Sequence, residues 1–195
     1  LPLLFFLGLL ILFLAFFIVK QQSAAIIERF GKFQSIRHSG LQLKIPLIDR
    51  VAGRLSLKIQ QLDVIVETKT LDDVFVRLKI SVQYRVIGSK VYEAFYELDD
   101  PHGQIASYIF DEVRAEVPKL GLDDVFSKKD DIALAVRDNI SSQMEKYGYK
   151  IVKTLITDIN PDELVKASMN KINAAMRDKE AAVQEAEGEK IRIVK

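Results

Sequence analysis

Cysteine is absent from the 195 residues, so this chain can build no disulfide framework, no thiolate nucleophile and no cysteine-ligated zinc site. That absence is compatible with either side of a membrane. Histidine is almost as scarce: only His38 and His102 occur, in unrelated turn-like surroundings, and each reads as a surface residue rather than a ligand or base. There is no glycine-rich phosphate loop, no G-x-S-x-G elbow and no H-E-x-x-H pair. Charge of one sign is also lacking, since 28 bases against 27 acids leave a formal charge of +1. Nucleic acid is therefore not an expected partner, because it calls for a clear basic excess or stripe. The pairs Asp72-Asp73, Asp99-Asp100, Asp123-Asp124 and Asp130-Asp131 resemble carboxylate dyads or calcium ligands, but they sit before helices or in turns and read as caps and turn formers, without EF-hand spacing. No catalytic constellation emerges. An enzyme, a cofactor and a metal are not expected.

What is present begins with a run of nineteen residues, LPLLFFLGLLILFLAFFIV, without a charge before Lys20. As a helix it would be about 28 Å long, against roughly 30 Å for the hydrocarbon of a bilayer. It predicts a retained transmembrane anchor over residues 1–20 and a single-pass membrane protein, with Leu3, Phe6, Leu10, Phe13 and Phe17 among the anchoring side chains. A buried core helix fits less well because apolar residues occupy every face. A cleavable signal also fits less well: Phe16, Phe17 and Ile18 stand where small residues are wanted, although Ser23-Ala24-Ala25 follows shortly after. Lys20, Arg29, Lys32 and Arg37 lean toward a cytoplasmic soluble part without fixing it, since large domains translocate despite such charges.

Beyond the run, residues 24–30 (AAIIERF) and 41–45 (LQLKI) predict short strands, the first closed by Gly31-Lys32 and the second by Pro46. In RLSLKIQQLDVIVE the apolar parity shifts at Gln60-Gln61, which predicts a bulge. From Val74 to Val86 apolar residues alternate without interruption, the clearest strand in the chain. Its other face, with Arg77, Lys79 and Arg85, reads as a solvated face whose charges meet nearby acids, or alternatively as a contact with anionic headgroups or a neighbouring subunit.

The period then changes to 3.6. Ser89 predicts a cap for a short helix with Val91, Ala94, Phe95 and Leu98 inward. Asp100-Pro101 caps a second helix, with Ile105, Tyr108, Ile109, Val113 and Val117 in one stripe up to Pro118. Ser127 and Asp130 start a third, carrying Ile132, Val136, Ile140 and Met144, which Gly148 stops. Residues 151–159 return to strand character. Strands, then helices, then a strand favour a compact α+β domain.

Asn160-Pro161-Asp162-Glu163 predicts the start of a long helix that reaches Lys195, about 52 Å in all. Spacings of four and three pick out Val165, Met169, Ile172, Met176, Lys179, Val183, Ala186, Lys190 and Ile193, a coiled-coil-like seam broken by two lysines. That stripe packs beside copies of itself in an array, folds back, or pairs in isolation.

This order of elements resembles the SPFH family, also called Band 7: stomatins, prohibitins, flotillins and the bacterial HflK/HflC proteins. VAGRLSLKIQQLDVIVETKTLDDVFV, AFYELDDPHGQIASYIFDEVRAEVPKLGLDDVF and YGYKIVKTLITDINPDELVKASMNKINAAMR are similar to segments of the plant hypersensitive-induced reaction (HIR) proteins and their bacterial slipin-like relatives, and EAEGEK at 185–190 resembles the start of the family's alanine-glutamate helix. The resemblance implies a strand-rich first SPFH part over 21–86, a helix-rich second part over 87–160 and the start of the long helix over 161–195. It further implies a membrane-tethered homo-oligomer, a ring or closed cage that organises membrane microdomains. Some members restrain a membrane protease of the FtsH type or pair with NfeD-type proteins, so a regulatory adaptor is the alternative reading. Membrane lipids and further copies of the chain are the implied partners. The family has no shared catalytic residues to carry over, and a hydrophobic span stands here where the plant relatives have a glycine and cysteines for lipidation.

Overall fold

The computed structural model describes residues 13–193, and it changes the end of the apolar run. Residues 13–15 are helical, but Phe16–Val19 form strand β1, antiparallel to β4 (Gly40–Leu43), with Phe16 opposite Leu43 and Val19 opposite Gly40. The predicted helix through Val19 is thereby corrected, and the anchoring residue Phe17 lies in a strand instead. Val19 is only 2% exposed and belongs to the folded body. When every residue is apolar, a four-residue strand and a helical turn look alike, and tertiary pairing decides between them. Leu3, Phe6 and Leu10 lie outside the described residues.

Next comes a three-stranded antiparallel sheet in which β2 (Ser23–Arg29) lies between β3 (Lys32–Arg37) and β5 (Asp49–Ser56). Ala24 and Ile26, fully buried, face the main core, while Ala25 and Ile27 are buried on the opposite face, where β1 comes into contact with β2. The predicted bulge at Gln60-Gln61 is instead a break between two strands in two sheets. The chain leaves β5 at Ser56, Leu57 N–H donates to the Gln22 carbonyl at 2.9 Å, and β6 (Gln60–Lys69) begins a new sheet. That change of sheet is why the apolar parity shifts.

The second sheet has β7 (Phe75–Val86) between β6 and β8 (Tyr149–Pro161), all antiparallel. Val76, Leu78, Ile80, Val82, Tyr84 and Val86 point inward and are at most 4% exposed. Each such side chain contributes about 1.5–3 kcal/mol through removal from water. The helical segment is an excursion between β7 and β8, which pair from Val86 opposite Tyr149 to Val76 opposite Pro161. It contains α1 (Val91–Tyr96), α2 (Pro101–Glu116), α3 (Leu122–Ser127) and α4 (Lys129–Lys146). The predicted stripes hold: Ile105, Ile109 and Val113 of α2, and Ile132, Val136, Ile140 and Met144 of α4, are all buried.

The caps hold only in part. Asp100 caps α2 by accepting from the Gly103 N–H at 3.0 Å. Ser89, however, lies in a single 3-10 turn before α1 and makes no cap. Ser127 ends α3, a helix the sequence pattern did not suggest, and so cannot start α4. The start of α3 is capped from fifty residues away, because the Asp72 carboxylate accepts from the Leu122 N–H at 3.1 Å and also from the Thr70 hydroxyl. Asn160 is opposite Arg77 in the β7–β8 ladder, so the last helix, α5 (Glu163–Ile193), starts later and takes its cap from Asp162, which accepts from the Leu164 N–H at 2.9 Å. Gly148, at φ +79°, closes the excursion. A Cβ there would collide with the Lys90 carbonyl at the start of α1.

Candidate functional site

The small sheet places unusual side chains at one end. Arg29, the last residue of β2, is opposite both Lys32 of β3 and Asp49 of β5, so the β2–β3 turn and the loop before β5 are neighbours. That turn is Phe30-Gly31, with φ +51° and +76°, the two-residue hairpin geometry that normally selects Asn-Gly. Phe30 is 81% exposed. The neighbouring loop carries Leu47 at φ +70°, fully exposed at 100%. Left-handed backbone at a bulky residue costs of order 1–3 kcal/mol and persists only where its surroundings impose it.

At Leu47 those surroundings are the bonds of Asp49, which close the turn from Ile45 to Asp49. Its carboxylate accepts from Arg29 Nε at 2.8 Å and from the Ile45 N–H at 2.9 Å, while its own N–H donates to the Ile45 carbonyl at 2.9 Å. The Arg29 hydrogen bond first, and the Ile45 N–H second, hold the Asp49 carboxyl below the usual carboxylate range. The loop is thus pinned across Asp49, and Leu47 is left at its tip.

The apolar run arrives at the same end. Lys44 N–H donates to the Ala15 carbonyl at 2.9 Å, immediately before the loop, and Phe13, Leu14, Phe16, Leu43 and Ile45 are all exposed nearby in the chain. Residues 13–56 contain seven bases and only two acids, Glu28 and Asp49, whereas residues 57–195 contain 21 bases and 25 acids. The near-neutral total conceals this polarity. At the end that carries Phe30 and Leu47 the bases of residues 13–56 are Arg29, paired with Asp49, together with Lys32, Lys44 and Arg50, whereas Arg37 and Arg54 lie farther along the sheet opposite Ala25. Apolar tips beside cations suit an anionic bilayer surface better than water.

A clasp joins this small sheet to the body. Tyr96 of α1 donates its hydroxyl to Glu28 Oε1 at 2.7 Å, and burial followed by the Glu28 hydrogen bond pushes the Tyr96 pKa up to about 12. The Phe33 ring meets those of Tyr92 and Tyr96 edge-on at 4.9 and 6.1 Å. The sheet end is therefore held in a set orientation by packing as well as by the chain.

The other anticipated residues are dispersed. His102 lies in the first turn of α2, not in a loop, with its Nε2 2.5 Å from the hydroxyl of the buried Tyr84. The seam on α5 divides in two. Val165 and Met169 pack against the body's own core, whereas Ile172, Met176, Val183 and Ala186 are exposed, and Ile193 is the last residue of the helix. Among the described residues no helix is long and apolar enough to cross a membrane, and no group of three or more His, Cys, Asp or Glu side chains is arranged to hold a metal ion. Phe30 and Leu47 were not anticipated as functional residues.

The model of the SPFH domain / Band 7 family matches residues 17–190. The chain is 45% identical over 178 residues to the hypersensitive-induced response protein 4 of Arabidopsis thaliana, covering 91% of this chain and 61% of that protein. It is 32% identical over 171 residues to the mitochondrial stomatin-like protein 2 of Homo sapiens, and equally to that of Bos taurus, covering 87% of this chain and 48% of each relative. The chain thus spans about half to three fifths of the length of these relatives.

Proposed function

Because this chain belongs to the SPFH domain / Band 7 family, we propose that it is a membrane-held scaffold whose soluble domain rests one end of its small sheet on the lipid surface. Family membership supports a membrane-scaffold role in general. The observation that carries the reading for this chain is the convergence of Phe30, Leu47 and the end of the apolar run at one end of the small sheet. The run attaches the chain to the bilayer, the tips settle at the interface, and the body stands above it. The open half of the α5 seam, from Ile172 to Ala186, packs against further copies, so that the scaffold is a homo-oligomer in a ring or cage that sets the local arrangement of lipids and proteins. No catalytic step belongs to this function.

Fractionation followed by mass photometry of the chain extracted in mild detergent tests the reading. The expected result is recovery in the membrane fraction as a discrete particle of many copies. Recovery in the soluble fraction would contradict attachment, and a monomer would contradict the scaffold. Co-purification of a membrane protease in place of a many-copy particle would favour a regulatory adaptor instead.

A further inference from the structure

The outer face of the β6–β7–β8 sheet carries more positive charge than its own carboxylates reach. At one end the charges are matched: Arg77 meets Glu67, directly opposite it, at 2.6 Å, and Lys79 meets Asp63 at 3.3 Å. Toward the other end Arg85 is directly opposite Lys150, and Lys153 is opposite Gln83. All three cations are exposed, and among the described residues none has a carboxylate within ion-pair distance. Like charges placed directly across a ladder repel one another. Between Lys150 and Lys153 the register of β8 shifts, and Val152, in the bulge, is 37% exposed. An apolar side chain thus stands among three unpaired cations.

The other side of the same layer has the opposite character. α4 packs on β8 with Ile132, Val136, Ile140 and Met144 buried. On the side of the helix away from those residues, Asp131, Leu134 and Asp138 are spaced by three and four positions and so lie on one face. Leu134 is 48% exposed. Arg137 engages Asp138 at 2.7 Å, but Asp131 makes no ion pair among the described residues. Residues 87–148 as a whole hold 13 acids and 7 bases. Because α4 covers the inner face of the sheet, the cationic strand face and the anionic helix face look in opposite directions.

A surface and its complement on opposite sides of one molecule make a heterologous, head-to-tail contact, which closes into a ring when the rotation allows. We infer that the Arg85–Lys150–Lys153 face of one copy docks on the α4 face of the next, with Val152 and Leu134 near the centre and the charges around them. This rests on the self-assembly reading above and adds to the α5 seam a contact between the bodies of neighbouring copies. The apolar centre supplies the desolvated contact, and the surrounding charges set orientation and exclude like-on-like pairing.

The test uses the full chain in mild detergent, with particle mass as the readout and the urea midpoint as the check on folding. In K150E/K153E, association weakens by about a hundredfold or more and the particle falls to a smaller mass, because like charges now face each other across the body-to-body contact. Adding D131K/D138K to the same chain restores the charge complement and the wild-type particle. Raising salt from about 0.1 M to about 1 M, which shortens the Debye length from about 10 Å to about 3 Å, weakens the wild-type particle and the doubly reversed one alike. A K150E/K153E chain that keeps the wild-type particle overturns this interface while leaving self-assembly intact. Loss of the particle without restoration by the second pair also overturns it, provided the urea midpoint is unchanged. A wild-type chain that is monomeric overturns the scaffold reading itself.

Discussion

The two three-stranded sheets of this molecule use the same kinds of residue for opposite ends. In β6–β7–β8 the inward side chains of the central strand disappear almost completely from solvent, with Leu78, Ile80 and Val82 at 0% exposure. At the end of β3–β2–β5, Phe30 and Leu47 stand at 81% and 100% exposure, on backbone that bulky residues avoid. The difference shows which apolar residues the fold consumes and which it presents. Leu47 is held at its tip by the ion pair and loop hydrogen bonds of Asp49, the Phe33 contacts orient the sheet end behind it, and in the proposed reading the cover of this set comes from outside the domain.

Four perturbations sharpen that contrast. Leu78→Ala, in the consumed set, should cost about 3–4 kcal/mol, read as a lower urea midpoint; a loss below about 1 kcal/mol would show that the core tolerates a cavity that its burial says it cannot. Gly148→Ala should cost on the order of 2–3 kcal/mol, from positive φ and the collision with the Lys90 carbonyl. Unchanged stability there would mean that α1 and the end of α4 are free to separate.

The third perturbation is acid. The folded Asp49 carboxyl titrates below its unfolded value of about 3.9, held down first by Arg29 and then by the Ile45 N–H. Its contribution is therefore complete above about pH 4 and is lost as pH falls through the folded value. Hydrogen exchange of the loop before β5 should rise below about pH 4, and Asp49→Asn should show the same rise already at neutral pH. If the loop exchanges identically in both proteins, Asp49 does not pin it. The smallest effect is expected at the presented set: Phe30→Asn replaces a strained residue by one that favours the hairpin turn and should stabilise by about 0.5 kcal/mol. Destabilisation by more than about 1 kcal/mol would mean that Phe30 packs within the domain.

Much of this fold was legible because its signals are periodic. The alternation from Val74 to Val86, the stripes of α2 and α4, the Asp100 cap and the stop at Gly148 each follow from local sequence and are all present. What escaped depends on distant partners. β1 is defined by pairing with Gly40–Leu43, and the cap of α3 comes from Asp72. Asn160 lost its capping role because β8 pairs with β7 through Pro161. At the candidate site, the apolar run was visible but its companions were not. Phe30 read as the end of a strand, and a Phe-Gly pair placed where a two-residue turn wants Asn-Gly was the available signal. A charge count divided near residue 56 would have exposed the basic excess of residues 13–56.

The chain contains no tryptophan, so a single tryptophan placed by substitution reports one position alone. Leu47→Trp, in full-length protein reconstituted into anionic vesicles and compared with Ile65→Trp on the body, measures directly whether the presented set reaches lipid. The account predicts a blue shift at position 47 and quenching by lipids brominated along the acyl chain, with neither at position 65. Equal emission and equal lack of quenching at the two positions would contradict it.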